Sequence, residues 1–178
     1  KNLPVKELRF LFEQDGLLDK FENNVLFLDN NVDTLIDNFD MVENTIPTNF
    51  FSNSSILKNV KRCVNIINTL NRSLKDKSSD IEEYGTQENI YFIINQARED
   101  LRDKYEKDFR KAIEDSLKFD EKGNRRTKVE KINLLKNDQN YQWIEKLYPA
   151  VNTDNKKIIF MSIDKFLVRN STIIEPSY

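Results

Sequence analysis

Between Ile56 and Leu74 the apolar residues Ile56, Val60, Cys63, Ile67, Leu70 and Leu74 recur at spacings of four, three, four, three and four. A strand alternates with period two and cannot carry that rhythm, whereas a helix gathers these side chains on one seam. A helix about five turns long with a single apolar seam needs a second helix to cover it. The sequence supplies one. From a start near Thr86, residues Ile90, Ile94, Ala97, Leu101, Tyr105, Phe109 and Ala112 form a matching stripe, widened by Ile113 and Leu117. The polar stretch Lys75 to Asp80 makes a short link, so the two helices are expected to pack as an antiparallel hairpin. Cys63 lies on the seam and reads as a small core residue rather than a nucleophile. Off the stripe, Asp100–Lys104, Asp103–Lys107 and Glu106–Arg110 are acid-before-base pairs at i, i+4, each contributing a few tenths of a kcal/mol. That charged run is expected to be a solvated face.

Shorter elements flank the hairpin. A helix from about Val5 presents Val5, Leu8, Leu11 and Phe12, with Gly16 placed to end it. Val25 to Leu28 reads as a buried strand, and Val32, Leu35, Ile36 and Phe39 then mark a helix. Asp29, Asp33 and Asp37 share one helical face, but a calcium loop needs ligands every second residue and a glycine at its sixth position. They read as acids near a helix N-terminus. Phe50 and Phe51 are expected to tuck beneath the next helix. Thr127 and Glu130 form a capping box that opens a helix through Val129, Ile132 and Leu135. Asp138 or Asn140 caps a last helix, stopped by Pro149, with Trp143 anchoring the core.

Composition removes several function classes. With 178 residues the chain suits one medium domain. Its 28 basic and 30 acidic residues give a net charge of −2, so no overall field draws it to nucleic acid or membrane. Only three glycines and four prolines argue against an all-β design. The absence of histidine removes Ser-His-Asp and Cys-His catalysis, zinc–histidine sites and the usual pH switch. A single cysteine makes no internal disulfide and fits a reducing compartment. No signal-like segment or 18-residue apolar span is present. The expectation is a soluble, cytoplasmic protein with no membrane role. The chain opens on Lys1 rather than Met, which is expected of an internal piece of a longer protein.

One stretch has the pattern of a site. In Lys156 to Leu167, a run of four apolar residues changes period at Ser162, after which Ile163, Phe166 and Leu167 fall on one side of a short helix. A strand, a capping serine and a helix start together make an anion site at the carboxyl edge of a parallel sheet. A second candidate is the basic cluster Lys118, Lys122, Arg125, Arg126, Lys128, Lys131 and Lys136, which could touch phosphates. Only Phe119 offers an aromatic ring there for base stacking.

Asn2-Leu3-Pro4 before a helix, the strand Val25 to Asp29 ending in Asn-Asn, Trp143 to Pro149, and Ile158 to Leu167 together resemble bacterial DEAD-like superfamily 2 helicases. Ser162-Ile163-Asp164-Lys165-Phe166-Leu167 is similar to that family's Thr-Pro-x-x-Phe-Leu motif, which grips phosphates of the loaded strand. Lys1-Asn2-Leu3 looks like the tail of the preceding nucleic-acid-binding motif. The resemblance covers the two ends, roughly a third of the chain. It departs from the family at Ser162, which keeps the hydroxyl, and at Ile163, which loses the fixed proline φ. The chain has no Gly-x-x-x-x-Gly-Lys-Ser/Thr loop and no Asp-Glu pair after an apolar strand.

The expected fold is therefore mostly α: a helical hairpin plus shorter helices, with two short parallel strands belonging to a partial RecA-like sheet. Residues 1–30 and 151–178 would supply the RecA-like segments, and 31–150 a helical insertion. The resemblance implies a nucleic-acid-contacting part of an ATP-dependent helicase or translocase, inactive alone. Ser162 and Lys165 would hold phosphates with help from Lys1 and Asn2, and Arg125 and Arg126 are the basic-cluster candidates. The piece itself is expected to hold no metal or cofactor, while ATP and magnesium would belong to the parent protein. The alternative is a helical protein–protein interaction module, with the partner docking on the helical insertion. No pairing of carboxylates supports a free-standing hydrolase.

Overall fold

The computed structural model of the protein describes residues 3–28, 30–76, 86–151 and 156–161. The chain begins with helices α1 (Leu3–Gln14) and α2 (Leu18–Asn24), which lead into strand β1 (Val25–Leu28). Helix α3 (Asn31–Val42) and the long α4 (Ser54–Asp76) follow. Next come α5 (Gln87–Asp100), a π-helical segment Leu101–Tyr105 and α6 (Glu106–Lys118). Helices α7 (Lys128–Asn137) and α8 (Gln142–Leu147) lead to strand β2 (Ile158–Met161). The fold is mostly α with a two-stranded parallel sheet; the helices and the two strands are where the residue pattern puts them, and the parallel pairing is the one the resemblance implied.

The starts of α3, α5 and α7 are fixed by short polar side chains that accept from otherwise unpaired backbone N–H groups, whereas α8, expected to be capped by Asp138 or Asn140, starts after Tyr141 with no side-chain cap. Asn30 accepts from Asp33 N at 2.9 Å, and Thr86 accepts from Asn89 N at 3.4 Å. At α7 the capping box forms in full: Thr127 N donates to Glu130 Oε2 at 2.7 Å and Glu130 N to Thr127 Oγ1 at 3.3 Å. Gly16 follows α1 with φ +66°, a left-handed conformation that any Cβ would strain.

The expected seam of α4 is buried through Val60, Cys63, Ile67 and Leu70, with Ile56 and Leu74 half-buried at its ends. It packs along α5, the π segment and α6, so the hairpin forms. The partner stripe differs from a plain helical reading. Buried positions run Ile90, Ile94, Ala97, Leu101 and then Glu106, Phe109, Ile113, Leu117. The step of five from Leu101 to Glu106 is the π segment, which inserts one extra residue and rotates the following face.

Three sequence expectations are thereby corrected. Glu106 is not on a solvated face; it is buried at 6% exposure. Tyr105, expected on the stripe, is only partly buried. Asp103 pairs with its neighbour Arg102, at 2.7 and 3.0 Å, rather than with Lys107. Asp100–Lys104 and Glu106–Arg110 do pair, at 2.7 and 3.1 Å.

The core joins α3, α4, α5, α6, α7 and α8 around Trp143, which is 1% exposed. Phe51 stacks on Phe109 at 5.0 Å, and Phe50 meets Trp143 edge-on at 5.0 Å, so the aromatic pair does tuck inward. Val129, expected on the apolar side of α7, is instead exposed. Asp33 pairs with Arg98 rather than facing only solvent.

Strands β1 and β2 pair in parallel, Val25 opposite Ile158 through Leu28 opposite Met161. The whole helical body lies between them in the chain. Phe21 and Leu26 are buried near this sheet but outside the main core. In the same segments Phe10, Leu11, Leu17, Ile158 and Phe160 are exposed, so Leu11 does not pack as the sequence suggested. No helix among the described residues is long and apolar enough to cross a membrane.

Candidate functional site

Helix α6 ends at Lys118, and the chain turns back through residues 119–127 to start α7. Asp120 organises this turn. Its Oδ1 accepts from Lys122 N at 2.9 Å and Asn124 N at 2.6 Å, and its Oδ2 accepts from Asn124 Nδ2 at 3.1 Å. These hydrogen bonds, led by the Asn124 side chain, hold the Asp120 carboxyl below its ordinary pKa. Gly123 takes the positive φ of +81° that the reversal requires. Phe119 and Arg125 then bridge as an antiparallel pair.

The turn separates the two arginines by role. Arg126 N donates to Lys118 O at 2.9 Å, and its guanidinium Nη1 donates to Ser116 O at 2.9 Å and Leu117 O at 3.4 Å. Arg126 therefore caps the carbonyl end of α6, where a cation also complements the helix dipole. Its head group is engaged by the fold rather than held out for a phosphate. Arg125 is exposed, and its guanidinium has no partner among the described residues.

Arg125 stands at an open cleft of ≈ 780 Å³ between this turn, α7 and the turn at 138–140. The carboxylates at its edge are committed to local structure. Glu130 serves the capping box, where the Thr127 backbone N–H, then its hydroxyl, lower its pKa, and Asp138 Oδ1 accepts from Asn140 N at 2.9 Å. The side-chain amides of Asn133, Asn137, Gln139 and Asn140 are exposed, and none has a side-chain partner among the described residues. The sequence shows these amides, but asparagine is abundant throughout the chain, which hid them.

Lys1, Asn2, Ser162 and Lys165 lie outside the described residues, so of the six expected contacts only Arg125 and Arg126 can be placed. A different cluster escaped the sequence reading. Glu106 Oε1 accepts from Arg110 Nε at 3.1 Å and lies 3.5 Å from the Tyr148 hydroxyl, while Arg110 Nη1 donates to Glu114 at 2.8 Å. Burial raises the pKa of Glu106, and burial raises that of Tyr148 well above the ordinary phenol. Both are shut inside the core, so the cluster is structural.

The glycines stand at 16, 85 and 123, so neither strand leads into a glycine-rich phosphate cradle. No group of three acidic or cysteine side chains among the described residues could hold a metal ion. The chain matches no family model, no curated protein and no solved structure.

Proposed function

We propose that the chain is part of a cytoplasmic ATP-dependent helicase or translocase, carrying its helical body as an insertion between two neighbouring strands of a parallel sheet. One observation carries the reading: β1 and β2 pair directly and in parallel although residues 29–157 separate them. Parallel sheets are stable when both faces are covered. The exposed Ile158 and Phe160 leave apolar positions that further layers of a larger sheet would cover. In open parallel sheets, ligands bind beyond the carboxyl ends of the strands. Ser162 follows Met161, the last residue of β2, and the similarity to the Thr-Pro-x-x-Phe-Leu motif begins there. In this reading Ser162 and Lys165 contact phosphates, aided by Lys1 and Asn2, and the parent protein supplies ATP and magnesium sites.

The test is fluorescence anisotropy with a labelled oligothymidylate of about twelve nucleotides, from about 50 to about 200 mM salt. Weak, salt-sensitive binding is expected, lost in the double variant Ser162→Ala, Lys165→Ala and little changed in Arg125→Ala. Binding that the double variant retains in full would remove the proposed phosphate contact.

A further inference from the structure

The amide-lined cleft beside Arg125 has a spacing that suits one kind of ligand. Asn133 and Asn137 are four residues apart on α7, so they share a face and are separated by about 6 Å along the helix axis. An extended peptide repeats every two residues, or about 6.6 Å. A carboxamide offers one acceptor and a donor pair, which match the C=O and N–H of a peptide unit. Successive amides on this helix therefore match every second backbone unit of an extended chain, and Gln139 and Asn140, past the helix end, line the same cleft. Arg125 lines the same cleft from the turn at 119–127, its guanidinium without a partner among the described residues.

We propose that this cleft binds an extended peptide that places one carboxylate against Arg125. The amides hold the backbone, and the guanidinium fork reads an aspartate, a glutamate or a chain end. Single-stranded nucleic acid fits less well. The lining has no aromatic ring to stack a base, its apolar side chain being Leu134. Two arginines face three carboxylates there, Asp120, Glu130 and Asp138, which is not the positive channel that a polyanion needs. The inference concerns the helical body alone and does not depend on the strand-binding role proposed for Ser162.

The experiment selects peptides of about eight residues from a random phage-displayed library on the intact chain. A parallel selection uses the triple variant Arg125→Ala, Asn133→Ala, Asn137→Ala. Peptides enriched on the parent are then synthesised with a fluorophore and measured by anisotropy. The expected result is a shared acidic position, with affinity falling at least about tenfold in Arg125→Ala and again in Asn133→Ala plus Asn137→Ala. Amidating that acidic position should remove the dependence on Arg125. All three side chains are exposed, so circular dichroism melts of the variants should overlay the parent. The same enrichment on the triple variant, no enrichment on either, or an oligothymidylate competing through Arg125 where peptides do not, would each overturn the proposal.

Discussion

The Tyr148 hydroxyl lies 3.5 Å from Glu106 Oε1 inside the core, although 42 residues separate them in the chain. The π segment Leu101–Tyr105 makes this meeting, because its extra residue turns Glu106 inward where an unbroken α-helix would have turned it outward. Arg110, also largely buried, supplies the countercharge and passes it on to Glu114. Closing the helical body thus includes a paired acid at a position whose pattern reads as surface.

Glu106 should make stability fall as pH rises. Burial raises its folded pKa, more than Arg110 lowers it, whereas the unfolded chain titrates at the ordinary value of about 4.3. Between those two values the folded state binds more protons, so its contribution is full below the ordinary value and is lost as pH climbs through the folded one. Glu106→Gln should match the parent near pH 4 and exceed it at neutral pH in urea melts. Glu106→Ala, which strands the Tyr148 hydroxyl and leaves a gap, should instead lose about 1–2 kcal/mol. Parallel pH curves for the parent and the Gln variant would contradict the assignment.

The α4 seam supports a sharper mutational contrast. Ile67 is fully buried, so Ile67→Asp should cost several kcal/mol through an unpaired buried charge. Lys107 is exposed, and Lys107→Ala should stay within about 0.5 kcal/mol. Equal midpoints in denaturant would show that α4 does not pack through Ile67.

Cys63 reports opening of the same seam. It is 2% exposed, and burial pushes its thiol pKa up, so little thiolate is present to react. A thiol reagent should modify the native chain at least about a thousandfold more slowly than the urea-unfolded chain, with the rate following opening. Prompt modification in buffer would mean that the hairpin separates easily.

What the sequence disclosed follows from what local pattern can encode. The α4 seam, the Thr127–Glu130 capping box and the inward turn of Phe51 depend on period or on neighbours within a few residues. The strands Val25 to Leu28 and Ile158 to Met161 were visible as short apolar runs bounded by polar residues, but their parallel pairing was not, since residues 29–157 separate them. Glu106 was hidden because no glycine or proline marks the π segment; Leu101 to Tyr105 spells an ordinary helix. Arg125 and Arg126 are alike in sequence, and only the turn around Asp120 gives one to the fold and the other to solvent. The cleft was illegible for a related reason, since its amides gain meaning only when the turn at 119–127 is brought up against α7.

That division between the arginines gives the last prediction. Arg126 satisfies carbonyls of Ser116 and Leu117 that the end of α6 leaves open, so Arg126→Ala should cost about 1–2 kcal/mol. Arg126→Lys should recover only part of this, because an ammonium lacks the planar fork that reaches both carbonyls. Arg125→Ala should leave the urea midpoint unchanged within about 0.5 kcal/mol, its side chain making no bond among the described residues. If ligand binding falls in Arg125→Ala at unchanged stability, and in Arg126→Ala only in step with unfolding, the two roles are separated. A costly Arg125→Ala together with a neutral Arg126→Ala would reverse them and make Arg126 the ligand-facing residue.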